Sequence, residues 1–328
     1  MVKKRKTKSN KKLIGGIVTA LCIIGIVLMF ALGSEGDFIS NLQQIWTNTI
    51  DGAGEWQPVD RDAQSLAALE SNGDKLIIYA IDTGNSDCIL VRTPEGHSML
   101  VDAADSDDIR NISGTLQALE IEKLDAAVAT HPDADHIGSM GKVVAEFTPS
   151  VIYMPNFEKD TSAYTSMINA IQENNVEQVL VTAPYEFTLG SLHALALNPQ
   201  PREYESANDA SIVLLLTYGQ NKVLLTGDIE TEALADIMAN YPDLLDVDVL
   251  KIAHHGSARS TTQDFLDATT PDIAIINAGE GNDYGHPHRE TTALLNENQI
   301  VTLRTDQDGD IAIFIDKTDI SYAIENAA

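Results

Sequence analysis

The chain has 328 residues, 49 of them acidic against 21 basic, with a formal net charge of −28. That length leaves ample chain for a buried core, and 44% hydrophobic residues exclude a disordered acidic chain. The charge excludes a basic nucleic-acid-binding surface, and two cysteines, Cys22 and Cys88, exclude a disulfide scaffold.

Charge and hydropathy change sharply along the first residues. Lys3, Lys4, Arg5, Lys6, Lys8, Lys11 and Lys12 form a basic tail, and no acidic residue precedes Glu35. Leu13 to Leu32 is uncharged, which is long enough to cross a bilayer as a helix. The basic flank predicts an uncleaved signal anchor over 13–33, with tail 1–12 in the cytoplasm and the remainder outside it. The remainder holds 14 basic against all 49 acidic residues. Residues 34–73 read as a polar linker or stalk with a weak helical stretch from Arg61 to Glu70, and 74–328 as one α/β domain.

Within that domain, short apolar runs alternate with polar turns. Leu76–Ile81, Cys88–Arg92 and Ser98–Asp102 are predicted strands. Further strands are expected at Ala126–Ala129, Val151–Tyr153, Ile212–Thr217, Lys222–Thr226, Val247–Ile252, Ile273–Ile276, Val301–Thr305 and Ile311–Ile315. Helical spacing marks Ile109–Leu119, Ile137–Phe147, Tyr164–Gln172 and Thr231–Asn240. The interleaving suggests two sheets covered by helices, a four-layer sandwich.

Chemistry concentrates where strands end. His131, Asp133, Asp135 and His136 fall within six residues directly after Ala126–Ala129. Imidazole nitrogen combined with carboxylate oxygen suits zinc, manganese or iron(II) better than calcium. A carboxylate, Asp228, follows the run Leu224-Leu225-Thr226-Gly227. Lys251 leads into the adjacent pair His254 and His255, and Tyr284 into His286 and His288. Six of the eight histidines lie in these three clusters; His97 and His193 stand outside them and read as structural or surface residues. Two metal ions with an open coordination position would lower the pKa of a bound water toward neutrality, for attack on a phosphorus or carbonyl centre. Lys251, Tyr284 and imidazoles outside the ligand set are candidates to stabilise anionic oxygens or to protonate the leaving group. No G-x-S-x-G elbow or phosphate-cradling loop offers a competing mechanism.

The runs YAIDTGNSDCILVRTPEGHSMLVDAA, ATHPDADHIGS, NDASIVLLL, LLTGD, LKIAHHGS, NDYGHPH and LRTDQDGDI, in that order, resemble the metallo-β-lactamase superfamily. More closely, they resemble the extracellular hydrolase domain of the ComEC/Rec2 competence proteins and their stand-alone relatives, over roughly Lys75 to Ile315. The resemblance implies an αββα fold, two divalent ions (zinc or manganese) and phosphodiester hydrolysis. Carried over by position, His131 and Asp133 would bind the first metal, Asp135 and His136 the second. Asp228 would bridge the two, and His254 would complete the second site. His255, Asp135, Lys251, Tyr284 and His286 would contact the reacting groups, while Asp82, Asp87 and Asp102 would support the ligands. Aspartate at 133 marks the competence branch and argues against β-lactam hydrolysis. The usual third histidine of the first site is missing, and Asn208 or Asp209 stands in the corresponding region. The expected substrates are single-stranded DNA or an envelope polymer such as a teichoic-acid or phosphocholine diester. A surface domain that keeps the fold and only binds a ligand or partner is the non-catalytic alternative.

Overall fold

The computed structural model describes residue 69 and residues 71–326. The expected tail, anchor and nearly all of the expected linker therefore lie outside the described residues. Among the described residues, no helix is long and apolar enough to cross a membrane.

Two sheets carry the domain. Eight strands form the first: β1 (Leu76–Ala80), β2 (Ile89–Arg92), β3 (Ser98–Val101), β4 (Ala126–Val128), β5 (Val151–Pro155), β6 (Glu177–Val181), β14 (Ile311–Ile315) and β15 (Ile320–Ile324), in the order β15-β14-β1-β2-β3-β4-β5-β6. Seven form the second: β7 (Tyr185–Leu189), β8 (Leu192–Asn198), β9 (Val213–Tyr218), β10 (Asn221–Leu225), β11 (Val249–Lys251), β12 (Ile273–Ile276) and β13 (Val301–Arg304), in the order β13-β12-β11-β10-β9-β8-β7. The central strands are buried on both faces and read as unbroken apolar runs, as in LIIYA and IAIFI.

Three apolar clusters give the layer order. Ile78, Val91, Leu214, Leu225 and Ile275 belong to the cluster joining the inner faces of the two sheets. The outer face of the first sheet packs on α1 (Ile109–Ala118), α3 (Met140–Phe147) and α4 (Ser162–Glu173) through Ile112, Leu116, Val144 and Met167. The outer face of the second packs on α5 (Thr231–Asn240), α6 (Gln263–Thr269) and α7 (Arg289–Glu297) through Leu234, Ile237, Phe265 and Leu295. This is the expected αββα sandwich, an architecture in which each sheet hides one face on the other and one under helices.

The halves are alike in how they aim their loops. Strands β3 to β6 run parallel in one sheet, and β10 to β13 in the other. Parallel strands deliver their carboxyl ends to a common rim, where open α/β sheets bind ligands. Along that rim sit Asp102 after β3, His131 to His136 after β4, Asp228 after β10, His254 and His255 after β11, and Asn277 after β12.

Candidate metal centre

The loop after β4 turns at once into the short helix α2 (Ala134–Ile137), which places Asp135 and His136 in one helical turn. His136 is fully buried, and its Nδ1 lies 2.8 Å from Asp102 Oδ2. Asp102 also accepts from Thr130 N at 2.8 Å and Thr130 Oγ1 at 2.7 Å. Its carboxylate thus ties the end of β3 to the end of β4, and it turns the other imidazole nitrogen, Nε2, toward Asp228 Oδ2 at 3.3 Å. A carboxylate behind an imidazole is the arrangement that fixes the orientation of a ligating histidine.

Asp228 arrives from the opposite sheet. Gly227 has φ +53°, and a Cβ there would meet the Ser211 Cβ at 2.9 Å and the Thr130 Cβ at 3.1 Å. Glycine therefore allows the two sheet ends to approach closely enough for Asp228 to reach His136.

The histidine pair is set by an unusual backbone. His254 and His255 both have φ 51°, a left-handed conformation that costs energy for residues with a Cβ and is held only by surrounding structure. At Gly256, φ is +85° and a Cβ would strike the Pro287 Cβ at 2.5 Å. This turn sends the two rings different ways. His255 is buried, with Nδ1 donating to the Asn277 carbonyl at 3.0 Å and 3.4 Å from Asp87 Oδ1. Its Nε2 faces Asp135 Oδ2 at 3.4 Å and Asp228 Oδ2 at 3.6 Å. His254 is partly exposed, with Nδ1 3.1 Å from Glu230 Oε1 and Nε2 3.9 Å from Asp228 Oδ2.

Asp135, His136, Asp228 and His255 consequently offer four ligand atoms within 4.8 Å of one another. The structure places His255 in this set, where His254 was expected. In the buried interior, His136 Nε2, His255 Nε2 and Asp228 Oδ1 have no hydrogen-bond partner. Orphaned buried polar atoms are costly, and three that converge fit a cation between them. Clustered groups of this kind are compatible with a two-ion site.

The charges respond to the crowding. Burial opposes the charged form of His136, but Asp228 and Asp102 outweigh it and hold its pKa well above the usual imidazole value. Against the same burial, Asp228 and Asp87 raise His255 to about 10. Burial would push Asp228 up, yet His136 and His255 hold it well below the usual carboxylate range. Burial lowers His131 to about 4, helped by the neighbouring His136.

The residues expected around the first metal are arranged differently. His131 is buried, with its ring 4.1 Å from that of His136 and Nδ1 3.2 Å from Thr130 Oγ1. Asp133 lines the cleft, but Oδ1 is bound by the Lys159 ammonium at 2.5 Å. Lys159 lies outside every motif, and no local pattern announces this pair. Asp209 is committed elsewhere: Oδ1 accepts from Glu230 N at 2.9 Å and Ala233 N at 3.0 Å, satisfying amides at the start of α5. Asn208 does line the cleft, with Nδ2 3.4 Å from His254 Nδ1.

The other candidates divide into mouth and interior. Lys251 was expected to meet the substrate; instead it is 1% exposed, with Nζ 2.8 Å from Asp87 Oδ2 and donating to the Ile252 carbonyl at 3.0 Å. Asp82 stands beside the cleft, where Oδ1 accepts from Gly84 N at 3.1 Å. His286 and Tyr284 line the cleft mouth, His286 held to about 4 by burial and by the neighbouring His254 and His255. His97 and His193 sit on the exterior beside Asp125 and Glu186.

Residues 81–279 match the family model described as the metallo-beta-lactamase superfamily. The chain belongs to that superfamily. It is 34% identical over 196 residues to ComE operon protein 3 of Bacillus subtilis (strain 168), covering 60% of this chain and 25% of that one. It is 29% identical over 273 residues to Recombination protein 2 of Haemophilus influenzae, covering 82% of this chain and 30% of the relative. It is 28% identical over 228 residues to Competence protein ComA of Neisseria gonorrhoeae, covering 70% and 30%. The chain thus spans about a quarter to a third of the length of these relatives.

Proposed function

We propose that the protein is a metal-dependent phosphodiesterase that works outside the cytoplasm on an N-terminal membrane anchor. The observation that carries the chemistry is the convergence of Asp135, His136, Asp228 and His255, three of whose buried ligand atoms lack any other partner. These four residues would hold divalent ions, zinc or manganese, which would supply Lewis acidity and lower the pKa of water toward neutrality.

The chain's own residues do the positioning. Asp102 holds His136 by its far nitrogen, and Asp87 with the Asn277 carbonyl holds His255 in the same way. His131 and Asp133 flank this set and are the residues available to a first ion. His254 lines the cleft with Glu230 at its Nδ1, which suits it to pass a proton to the leaving oxygen. The relatives are competence and recombination proteins, which supports a polynucleotide as one substrate to test. The anchor reading rests on the uncharged run after the basic tail.

The test is turnover of bis(p-nitrophenyl) phosphate by the wild type and by Asp135→Asn, His255→Ala and His254→Ala. The first two variants should lose both metal and at least about 100-fold in turnover, whereas His254→Ala should keep its metal and lose turnover. Full turnover in His255→Ala would contradict the assignment.

A further inference from the structure

The residue cluster of Asp135, Asp228 and His255 lines a cleft of about 630 Å³ whose lining has a one-sided charge. Three carboxylates, Asp105, Asp108 and Asp283, join Asp133, Asp135 and Asp228 along its wall, and among the described residues no lysine or arginine lines it. Lys159, which pairs with Asp133, is not among the lining residues. Burial above all, and then the carboxylates of Asp105, Asp107 and Asp82, raise the pKa of Asp108 to about 6.

The cleft also carries an aromatic ledge. Tyr284 is 71% exposed, although its ring lies 5.8 Å from that of His286 at an interplanar angle of 21°. The His286 ring in turn lies 6.2 Å from His255 at 24°. These three near-parallel rings step from the cleft mouth to the metal cluster. One face of Tyr284 rests on His286, and its exposure leaves the other face open. At the inner end the same cleft is lined by His255 and Asp228, both at least nine-tenths buried, whose Nε2 and Oδ1 make no hydrogen bond.

We propose that the cleft selects a phosphodiester carrying a cationic arm, an ammonium-alcohol ester, over a polynucleotide. This rests on the phosphodiesterase reading. With the scissile phosphate at Asp135, His136, Asp228 and His255, the adjoining part of the substrate lies along Tyr284, Asp283, Asp105 and Asp108. An ammonium group there meets an aromatic face and three carboxylates, the combination that recognises quaternary amines. The next phosphate of a polynucleotide would meet the same carboxylates, with no basic side chain to offset them. Like charge along a cleft also slows the approach of a polyanion.

The experiment uses the full-length, metal-loaded protein and two readouts. The first is kcat/KM on p-nitrophenyl phosphorylcholine, the p-nitrophenyl ester of thymidine 5′-phosphate, and a fluorescent oligonucleotide. The choline ester should be preferred by about tenfold or more, and its rate should fall as salt is raised, because salt screens an attraction. The second is equilibrium binding of choline phosphate and thymidine 5′-phosphate, read by calorimetry. Choline phosphate should bind more tightly, and Tyr284→Ala should cut that preference about two- to fivefold. Asp283→Asn and Asp105→Asn should each reduce it as well. Preference for the thymidine ester or the oligonucleotide, or a choline preference untouched by all three substitutions, overturns the proposal. If no diester is turned over while choline phosphate still binds preferentially, the phosphodiesterase reading fails and the selectivity stands.

Discussion

Lys251 and Asp87 form a 2.8 Å ion pair in the interior, with both side chains almost completely shielded from solvent. Asp87 also faces His255 Nδ1, so the pair stands directly behind a proposed metal ligand. Burial acts to raise Asp87, but Lys251 and His255 hold its pKa far below the usual carboxylate value. Removing one partner of a buried pair leaves an uncompensated charge. Lys251→Met should therefore destabilise the fold by about 3–5 kcal/mol, read by denaturant unfolding. The double substitution Lys251→Met with Asp87→Leu should recover most of that loss while metal affinity stays about 10–100-fold weaker. Unchanged metal affinity in the double variant would show that the pair does not position His255.

Metal uptake should release protons at neutral pH. In the metal-free protein His255 titrates at about 10 and His136 well above its usual value, so both are charged at pH 7. Ligation requires neutral imidazole, and loading the cluster should expel roughly two protons in total, one from each histidine. Calorimetry in two buffers of different ionisation enthalpy measures this number. It should shrink as the pH is raised toward 10, with apparent affinity rising over the same range. The sign for stability is the reverse. A histidine pKa raised above its unfolded value contributes stability to the metal-free protein below about pH 6.5, and this is lost as the pH passes through the folded value near 10.

Asp108 should give the opposite pH signature to a paired carboxylate. Its folded pKa of about 6 lies above the ordinary aspartate value of 3.8, so the folded state holds the proton more tightly than the unfolded chain. Below 3.8 both states are protonated and no cost arises; the cost grows with pH and is complete above about 6. Asp108→Asn should therefore raise Tm relative to the wild type at pH 7.5 and lose that advantage at pH 4. An equal gain at both pH values would show that ionisation of the buried Asp108 carboxyl is not the cause.

The sequence made the central strands and the site rim legible for a simple reason: buried parallel strands are unbroken apolar runs, and the ligand-bearing residues follow them directly. The helix expected over Thr231–Asn240 spans those residues in the structure. The helix expected over Ile137–Phe147 is split, because Gly138 and Ser139 separate α2 from α3. The edge and hairpin strands β6, β7, β8 and β15 escaped the reading, as did α6 and α7. Glu177–Val181 is half polar because its edge position leaves much of it exposed. Arg289–Glu297 buries only Thr291 and Leu295, too few for an apolar stripe. Within the site, residue types and spacing announced the motif clusters without telling the adjacent histidines apart. That choice depends on the left-handed turn at His254 and His255 and on where Asn277 and Asp87 receive an imidazole nitrogen, both products of the tertiary fold. The burial of Lys251 and the capture of Asp133 by Lys159 are likewise long-range pairings that no local pattern encodes.

The most direct test of the central claim is a metal titration of chelator-stripped full-length protein, with bound zinc or manganese and hydrolysis of bis(p-nitrophenyl) phosphate measured on the same samples. The stripped protein should be inactive, and turnover should rise in proportion to the metal bound, with neither binding nor turnover in Asp228→Ala. Turnover that survives stripping, or stoichiometric metal binding through Asp228 with no hydrolysis of any phosphodiester, would contradict it.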